Sequence, residues 1–188
     1  MKNLKWLLLL LVATGLTIAS GYVDAYMRKE TEEIQNVFVP AQVDCLVDED
    51  VVDNKKTSVT AINTSNVNAY IRMRSVSYWL DENGDITYYP SPANYIDYAD
   101  IDTDNWIVDT ANNTFYYRYP VGTAETAKET KNLLKTGESI VLKTEGGRKQ
   151  VIEFFAEAIQ ADPAEAVTGS WPVMVENNQI TALADKFN

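Results

Sequence analysis

Apolar and polar side chains alternate along three stretches of the first half of the chain, which predicts β-strands with one buried face. The stretches run from 41 to 50, from 57 to 63 and from 68 to 80. In the third, Ala69, Ile71 and Met73 fall on one side and Arg72 and Arg74 on the other. Such alternation is typical of antiparallel sheets that face a core on one side.

Turn-forming pairs separate further β-prone runs. Asn83-Gly84 predicts a hairpin after residue 80, because Asn-Gly favours the positive-φ turns of hairpins. Residues 106–109 and 114–120 form a second predicted pair, and Gly146-Gly147 joins a third. The last run of that pair, 149–161, contains Glu and Ala, which favour helices, but its alternation and the Gly-Gly turn favour a strand.

The remaining segments are less regular. Residues 123–134 predict a short helix or an extended loop with helical turns, and 163–167 a single helical turn. Seven or more short strands separated by turns predict an all-β protein, an antiparallel β-sandwich with one or two short helices.

The N-terminus has the features of a secretory signal peptide. Lys2 and Lys5 precede an apolar run of about 13 residues and then small residues. A membrane-spanning helix needs roughly 20 residues, so we expect an N-terminal signal helix and no stable membrane anchor. Cleavage fits after Gly21 or after Ala25; we favour Ala25, which divides the chain into a signal peptide, 1–25, and one secreted domain, 26–188.

The chain is acidic, with a net charge of −11, and removing residues 1–25 changes this to −12 because two lysines and one aspartate are lost. Such a charge repels nucleic acid and anionic lipid, so we expect neither as a partner.

Histidine is absent, which excludes HExxH zinc sites, Ser-His-Asp triads and Cys-His dyads. The single cysteine, Cys45, has no internal disulfide partner. Its alternating context predicts a small buried side chain, and an intermolecular disulfide is the alternative.

Four passages together resemble the TasA/camelysin-like exported proteins of Gram-positive bacteria. They are GYVDAYMRK at 21–29, NTSNVNAYIRMRSVSYWLDENGDI at 63–86, FYYRYPVGTAETAKETKNLL at 115–134 and EFFAEAIQA at 153–161. The resemblance implies cleavage between Ala25 and Tyr26 by a dedicated signal peptidase, a jelly-roll-like sandwich, and fibres at the cell surface or in the biofilm matrix.

The resemblance also implies assembly by strand donation, in which the N-terminal segment of one subunit completes the sheet of its neighbour. Val37, Phe38 and Val39 form the β-prone part of that segment and are the expected subunit interface; the alternative is an ordinary first strand within the subunit's own sandwich. The camelysin branch carries a metalloprotease label, which a chain without histidine does not support. We therefore expect a non-enzymatic protein without a cofactor.

Two other groups of residues have alternative interpretations. Asp100, Asp102 and Asp104 have the spacing that opens a calcium loop, but Asn105 and Ala111 stand where such a loop needs Gly and Glu. A solvated loop is the preferred interpretation.

Aromatic residues are concentrated between residues 78 and 119. Exposed rings there, with Trp79 and Trp106 as candidates, would make the protein a monomeric secreted binding module or adhesin. The other interpretation is that alternation places about half of the rings in the core.

Overall fold

A computed structural model describes residues 40–88 and 95–185, and its regular structure is mostly antiparallel β. The prediction of an all-β protein is confirmed. The chain divides into two units, Met1–Pro40 and Ala41–Asn188, and the described residues belong to the second apart from Pro40. Within the described ranges no helix is long and apolar enough to cross a membrane.

Eleven strands are described. They are β1 (Cys45–Val52), β2 (Lys55–Asn63), β3 (Ala69–Leu80), β4 (Ile86–Thr87), β5 (Trp106–Asp109), β6 (Thr114–Tyr117), β7 (Ile140–Val141), β8 (Thr144–Glu145), β9 (Arg148–Gln160), β10 (Val173–Glu176) and β11 (Gln179–Leu183). A 3₁₀ turn covers Tyr98–Asp100, and one α-helix, α1, covers Glu165–Ser170. The helical turn predicted at 163–167 therefore begins two residues later, at Glu165.

The strands form two sheets and a separate hairpin. The larger sheet has the order β5-β6-β3-β9-β8, with β4 beside the end of β3; the smaller has the order β1-β2-β7. The β10-β11 pair forms the hairpin, and all pairs are antiparallel. The longest ladder joins β3 to β9, from Ala69 opposite Gln160 to Leu80 opposite Lys149.

The predicted hairpins are confirmed. Asp81 N donates to Asp85 O at 2.9 Å around the Asn83-Gly84 turn, which joins β3 to β4. Gly146 and Gly147 have φ values of 56° and 77° between β8 and β9. These are the positive angles that a two-residue hairpin turn requires, so the segment 149–161 is a strand despite its Glu and Ala content.

One hydrophobic core contains residues of both sheets. Val59 and Ala61 of β2 pack with Ile71 and Met73 of β3 and with residues of β5, β6 and β9. A second, smaller core lies on the opposite face of the larger sheet. Its buried members are Tyr70, Ile107, Tyr116, Val167, Trp171, Val173 and Ile180, so α1 and the β10-β11 hairpin cover this part of the sheet.

The segment 123–134 contains no helix; of the two predicted alternatives, the extended one describes it. Its backbone lies along the edge of β2 that faces away from β1. Asn63 N donates to Lys128 O at 2.7 Å, Thr130 N to Ala61 O at 2.9 Å and Leu133 N to Val59 O at 2.8 Å. Helix-favouring residues give way here because these hydrogen bonds satisfy the β2 edge and Leu133 and Leu134 are buried in the core.

Candidate functional site

The outer edge of β9 is the longest stretch of strand without a partner in the described part of the chain. On one side β9 pairs with β3 along nearly its whole length. On the other side, β8 pairs only with Arg148 and Lys149. Within 40–88 and 95–185, no strand pairs with the outer edge from Val151 to Gln160.

The hydrogen bonds at the two ends of β9 show which residues point their backbone groups outward. Gln150 N donates to Lys143 O at 2.8 Å, away from β3, whereas Ala161 N donates to Asn68 O at 2.8 Å, toward β3. The ladder has no register shift, so the direction alternates regularly. The even-numbered residues from Ile152 to Gln160 therefore present their N–H and C=O groups at the outer edge.

A second open edge belongs to β1. Thr64 N donates to Asp44 O at 3.1 Å, so even-numbered residues of β1 face β2 and the odd-numbered ones face away. The outward residues in the regular part of the strand are Cys45, Val47 and Glu49. Cys45 N donates to the side-chain Oδ1 of its neighbour Asp44 at 2.9 Å, in the place of a strand partner.

Strands β1 and β9 contact each other, and apolar side chains of both pack against the shared core. Cys45 and Val47 of β1, and Ala156 and Ala158 of β9, are half-buried against the shared core. A shallow cavity of about 340 Å³ lies beside them, lined by Val47, Glu49, Glu153, Phe154 and Phe155. We call the outer edges of β1 and β9 together with this cavity the edge cleft.

A buried ion pair borders the edge cleft. The ammonium group of Lys56, which is nearly inaccessible, pairs with Glu49 Oε2 and lies 5.8 Å from the centroid of the Phe154 ring. The other carboxylate oxygen, Glu49 Oε1, is buried and accepts no hydrogen bond within the described part of the chain. A buried acceptor without a donor is unfavourable by about 1–3 kcal/mol, so an incoming N–H here would be stabilising.

Burial raises the pKa of the Cys45 thiol to about 11, with smaller contributions from the negative charges of Asp44 and Glu157. The thiol is therefore protonated at neutral pH and is a poor nucleophile. The edge cleft thus offers backbone donors and acceptors, small apolar side chains and one spare carboxylate oxygen. This is a set of groups suited to binding an extended strand.

The prediction that Trp79 and Trp106 are exposed and could form a binding platform is wrong. Trp79 is 2% exposed and Trp106 is completely buried. The indole of Trp106 lies 5.0 Å from the ring of Tyr117, and its Nε1 donates to Asn132 O at 3.2 Å. The physical reason is strand alternation, which places Trp106 in the shared core and Trp79 on the same face of β3 as Ile71 and Met73.

The three aspartates of the candidate calcium loop are not brought together as ligands. Asp100 ends the 3₁₀ turn, while Asp102 uses both carboxylate oxygens within its own loop. Its Oδ1 accepts from Asp104 N at 3.1 Å and its Oδ2 from Asn105 Nδ2 at 2.7 Å. Among the described residues, no group of three or more acidic, Cys or His side chains could hold a metal ion.

The other predicted site residues lie outside the described residues. They are Ala25 and Tyr26, at the predicted cleavage site, and Val37, Phe38 and Val39, at the predicted subunit interface. The edge cleft was not predicted, although the alternation that puts Ala156 and Ala158 on the core-facing side of β9 is visible in the sequence. The alternation of side chains does not specify which strand edges pair with another strand.

Comparison with known proteins adds no relative: no protein-family model, no curated protein and no solved structure matches the chain significantly.

Proposed function

We propose that this protein is a non-enzymatic, secreted subunit of a fibre at the cell surface or in the biofilm matrix. In this proposal the two sheets form a jelly-roll-like sandwich, and the N-terminal segment of one subunit pairs with an open edge of the next. The observation that carries it is the edge cleft, in which two apolar-lined strand edges lie side by side without a strand partner among the described residues.

The proposed donor segment is long enough for the acceptor edge. The 14 residues from Tyr26 to Val39 would span about 46 Å when extended, at about 3.3 Å per residue. The open edge of β9 from Val151 to Gln160 spans about 33 Å on the same scale. A donated strand could therefore cover the whole edge and leave a few residues to connect two subunits.

The side chains on the two sides of the proposed contact are complementary in size. Val37, Phe38 and Val39 are bulky and β-prone, whereas Ala156 and Ala158 on the acceptor edge are small and half-buried. In a paired strand every second donor side chain points toward the core. Large donor side chains would then fill the space that the two alanines leave at the margin of the shared core.

Charge controls when such edges pair. Asp44, just before β1, and Asp48 and Asp50 on β1 are exposed, and the whole chain has a net charge of −11. Charged side chains on an open edge oppose unplanned pairing, and mutual repulsion keeps monomers soluble. Once two subunits are already in contact, the donor segment of one is held close to the open edge of the other, and this high local concentration would overcome the repulsion.

Electron microscopy of negatively stained protein tests the proposal. The chain beginning at Tyr26 is expected to form filaments, and the same chain without Tyr26 to Val39 is expected to remain as single particles with an unchanged β-sheet circular dichroism spectrum. Filaments of normal appearance from the shortened chain would refute strand donation. Single particles from both chains would refute self-assembly of this protein alone.

A further inference from the structure

The outer face of the larger sheet, opposite the shared core, is covered only in part. Near the end of the β3-β9 ladder that contains Tyr70, the smaller core, α1 and the β10-β11 hairpin lie over it. Toward the other end, the apolar side chains of Val76 and Phe155 remain 43% and 52% exposed. Isolated exposed apolar residues are common, but these two are diagonal neighbours on adjacent strands.

The register of the ladder gives this part of the face a specific pattern. Arg74 lies opposite Phe155, and Val76 lies opposite Glu153. The four side chains occupy the corners of a rectangle of about 5 Å by 7 Å. The two charged residues lie on one diagonal and the two apolar residues on the other. We call these four residues the diagonal patch.

The two charges of the diagonal patch are available for contacts with another molecule. Arg74 is exposed and forms no ion pair with another residue of the described ranges. Glu153 is exposed and accepts one hydrogen bond, from the Tyr78 hydroxyl at 2.9 Å, which leaves its second carboxylate oxygen open. By contrast, Arg72 lies two residues before Arg74, toward the covered half of the face, and its guanidinium forms an ion pair with the Glu157 carboxylate at 2.6 Å.

We infer that the diagonal patch binds a second copy of this chain through a two-fold symmetric contact. Consider a two-fold axis that lies in the plane of the contact, along the apolar diagonal. It places Phe155 against Phe155 and Val76 against Val76 of the second copy, and it places each Arg74 against the other copy's Glu153. A symmetric contact must be self-complementary, and this arrangement meets that condition with two apolar contacts and two ion pairs.

The size of the patch limits the strength of the contact. The uncovered rows of β3 and β9, from Arg74 to Leu80 and from Lys149 to Phe155, extend about 20 Å along the strands. The face buried by two to four strands of this length is a few hundred Å², below the roughly 800 Å² per partner of a stable complex. We therefore expect a weak dimer. It does not require strand donation, because it uses side chains on the face of the sheet and no backbone group of the edges, although Glu153 and Phe155 also line the cavity of the edge cleft.

Charge reversal tests the symmetric geometry, with sedimentation equilibrium of the purified protein from about 1 μM to about 1 mM as the measurement. R74E alone places Glu against Glu, and E153R alone places Arg against Arg, so each variant is expected to dimerise at least about tenfold more weakly. An equimolar mixture of the two restores both ion pairs and is expected to dimerise as the natural protein does. A mixture no better than its components, or a natural protein that stays monomeric throughout, overturns the inference.

A matched pair of valine substitutions tests the apolar diagonal. Val76→Ser is expected to weaken dimerisation by roughly tenfold, which corresponds to about 1.4 kcal/mol. Val141→Ser makes the same change at a similarly exposed valine of β7, in the smaller sheet, and is expected to leave dimerisation unchanged. Equal effects from the two substitutions would place the contact elsewhere.

The proposed dimer and the proposed fibre can be tested separately, so that refuting one does not refute the other. Filaments seen by electron microscopy for R74E would show that strand donation does not use the diagonal patch. Repeating the mixing experiment in chains beginning at Tyr26 that also carry Ala156→Pro, which removes an outward N–H from the edge cleft, measures dimerisation without strand pairing. Restored dimers in this background support the dimer even if no filament ever forms, and their absence overturns it.

Discussion

Cys45 occupies the first position of β1, where its thiol is half-buried between the shared core and the open edge. Burial and the neighbouring carboxylates raise the pKa of the thiol to about 11, from about 9 in an unfolded chain. At pH 8 the thiolate fraction of the folded protein is then about a hundredth of that of the unfolded protein. The sole cysteine is therefore suited to packing and not to chemistry.

Alkylation measures this directly. We expect iodoacetamide to modify Cys45 at pH 8 about a hundredfold more slowly in the folded protein than in urea, because the thiolate is the reactive form. The same shift has a consequence for stability. Between about pH 9 and pH 11 the unfolded chain releases the thiol proton and the folded chain keeps it, so stability falls as the pH rises.

Equal alkylation rates in the folded and unfolded protein would contradict the environment described for Cys45. Free cysteine in the same buffer serves as the reference for intrinsic reactivity. The alternative role in an intermolecular disulfide also requires a reactive thiolate, so rapid alkylation of the folded protein would favour that role.

The two tryptophans show what residue-level patterns leave open. The clustering of aromatic residues suggested that Trp79 and Trp106 are exposed on the surface. The alternation of side chains instead places them on the same strand faces as buried core residues. In β3 the parity that buries Ile71 and Met73 also buries Trp79. Counting alternate positions along β3 from a clear core residue such as Ile71 would have predicted that Trp79 is buried. The aromatic composition alone would not.

At the scale of elements, the acceptor edge of β9 can be blocked without breaking its ladder to β3. Ala156 points its N–H outward, so Ala156→Pro removes a donor that the described part of the subunit does not use. Proline is tolerated at such edge positions. We expect filaments to disappear in electron microscopy while the thermal unfolding midpoint falls by only a few degrees.

Two variants make the test specific. Ala156→Ser retains the N–H and is expected to form filaments. Phe155→Pro shifts proline by one residue, to a position whose N–H faces β3, and is expected to destabilise the protein more than Ala156→Pro because it removes a ladder hydrogen bond. Normal filaments from Ala156→Pro would show that the outer edge of β9 is not the acceptor and would leave β1 as the only open edge of the cleft.

Elements with strong periodicity and clear turns could be predicted, and those held only by tertiary contacts could not. β3 and β9 start and end within one residue of the predicted runs, because alternation and the flanking turns act locally. The segment 123–134 has a helical composition and yet lies along β2, because its leucines and backbone groups find partners far away in the sequence. Propensity is a weak preference that such contacts override.

For the whole molecule, the sequence predicted the class of fold but not the order of strands. Which of the eleven described strands pair is decided by long-range contacts that periodicity does not encode, and β9 next to β3 joins residues about 80 positions apart. The open edges and the diagonal patch follow from that order. Both candidate contact surfaces therefore became visible only in the structure.

Net charge sets the conditions under which whole subunits approach one another. The chain has 27 acidic and 16 basic side chains, which gives a net charge of −11 and a pI of about 4.4. At about 0.01 M salt the screening length is about 30 Å, comparable to the size of a subunit, and at 0.15 M it is about 8 Å. Repulsion between subunits is therefore strong at low salt and short-ranged at physiological salt.

We expect the chain beginning at Tyr26 to remain dispersed at about 0.01 M sodium chloride and to assemble with a shorter lag at about 0.15 M, because screening removes repulsion while backbone pairing is unaffected. Light scattering follows the lag, and electron microscopy identifies filaments. Ala156→Pro in the same salt series separates strand pairing from precipitation, since precipitation would affect both proteins. Slower assembly at higher salt would contradict this view and would mean that attraction between opposite charges dominates the contact between subunits.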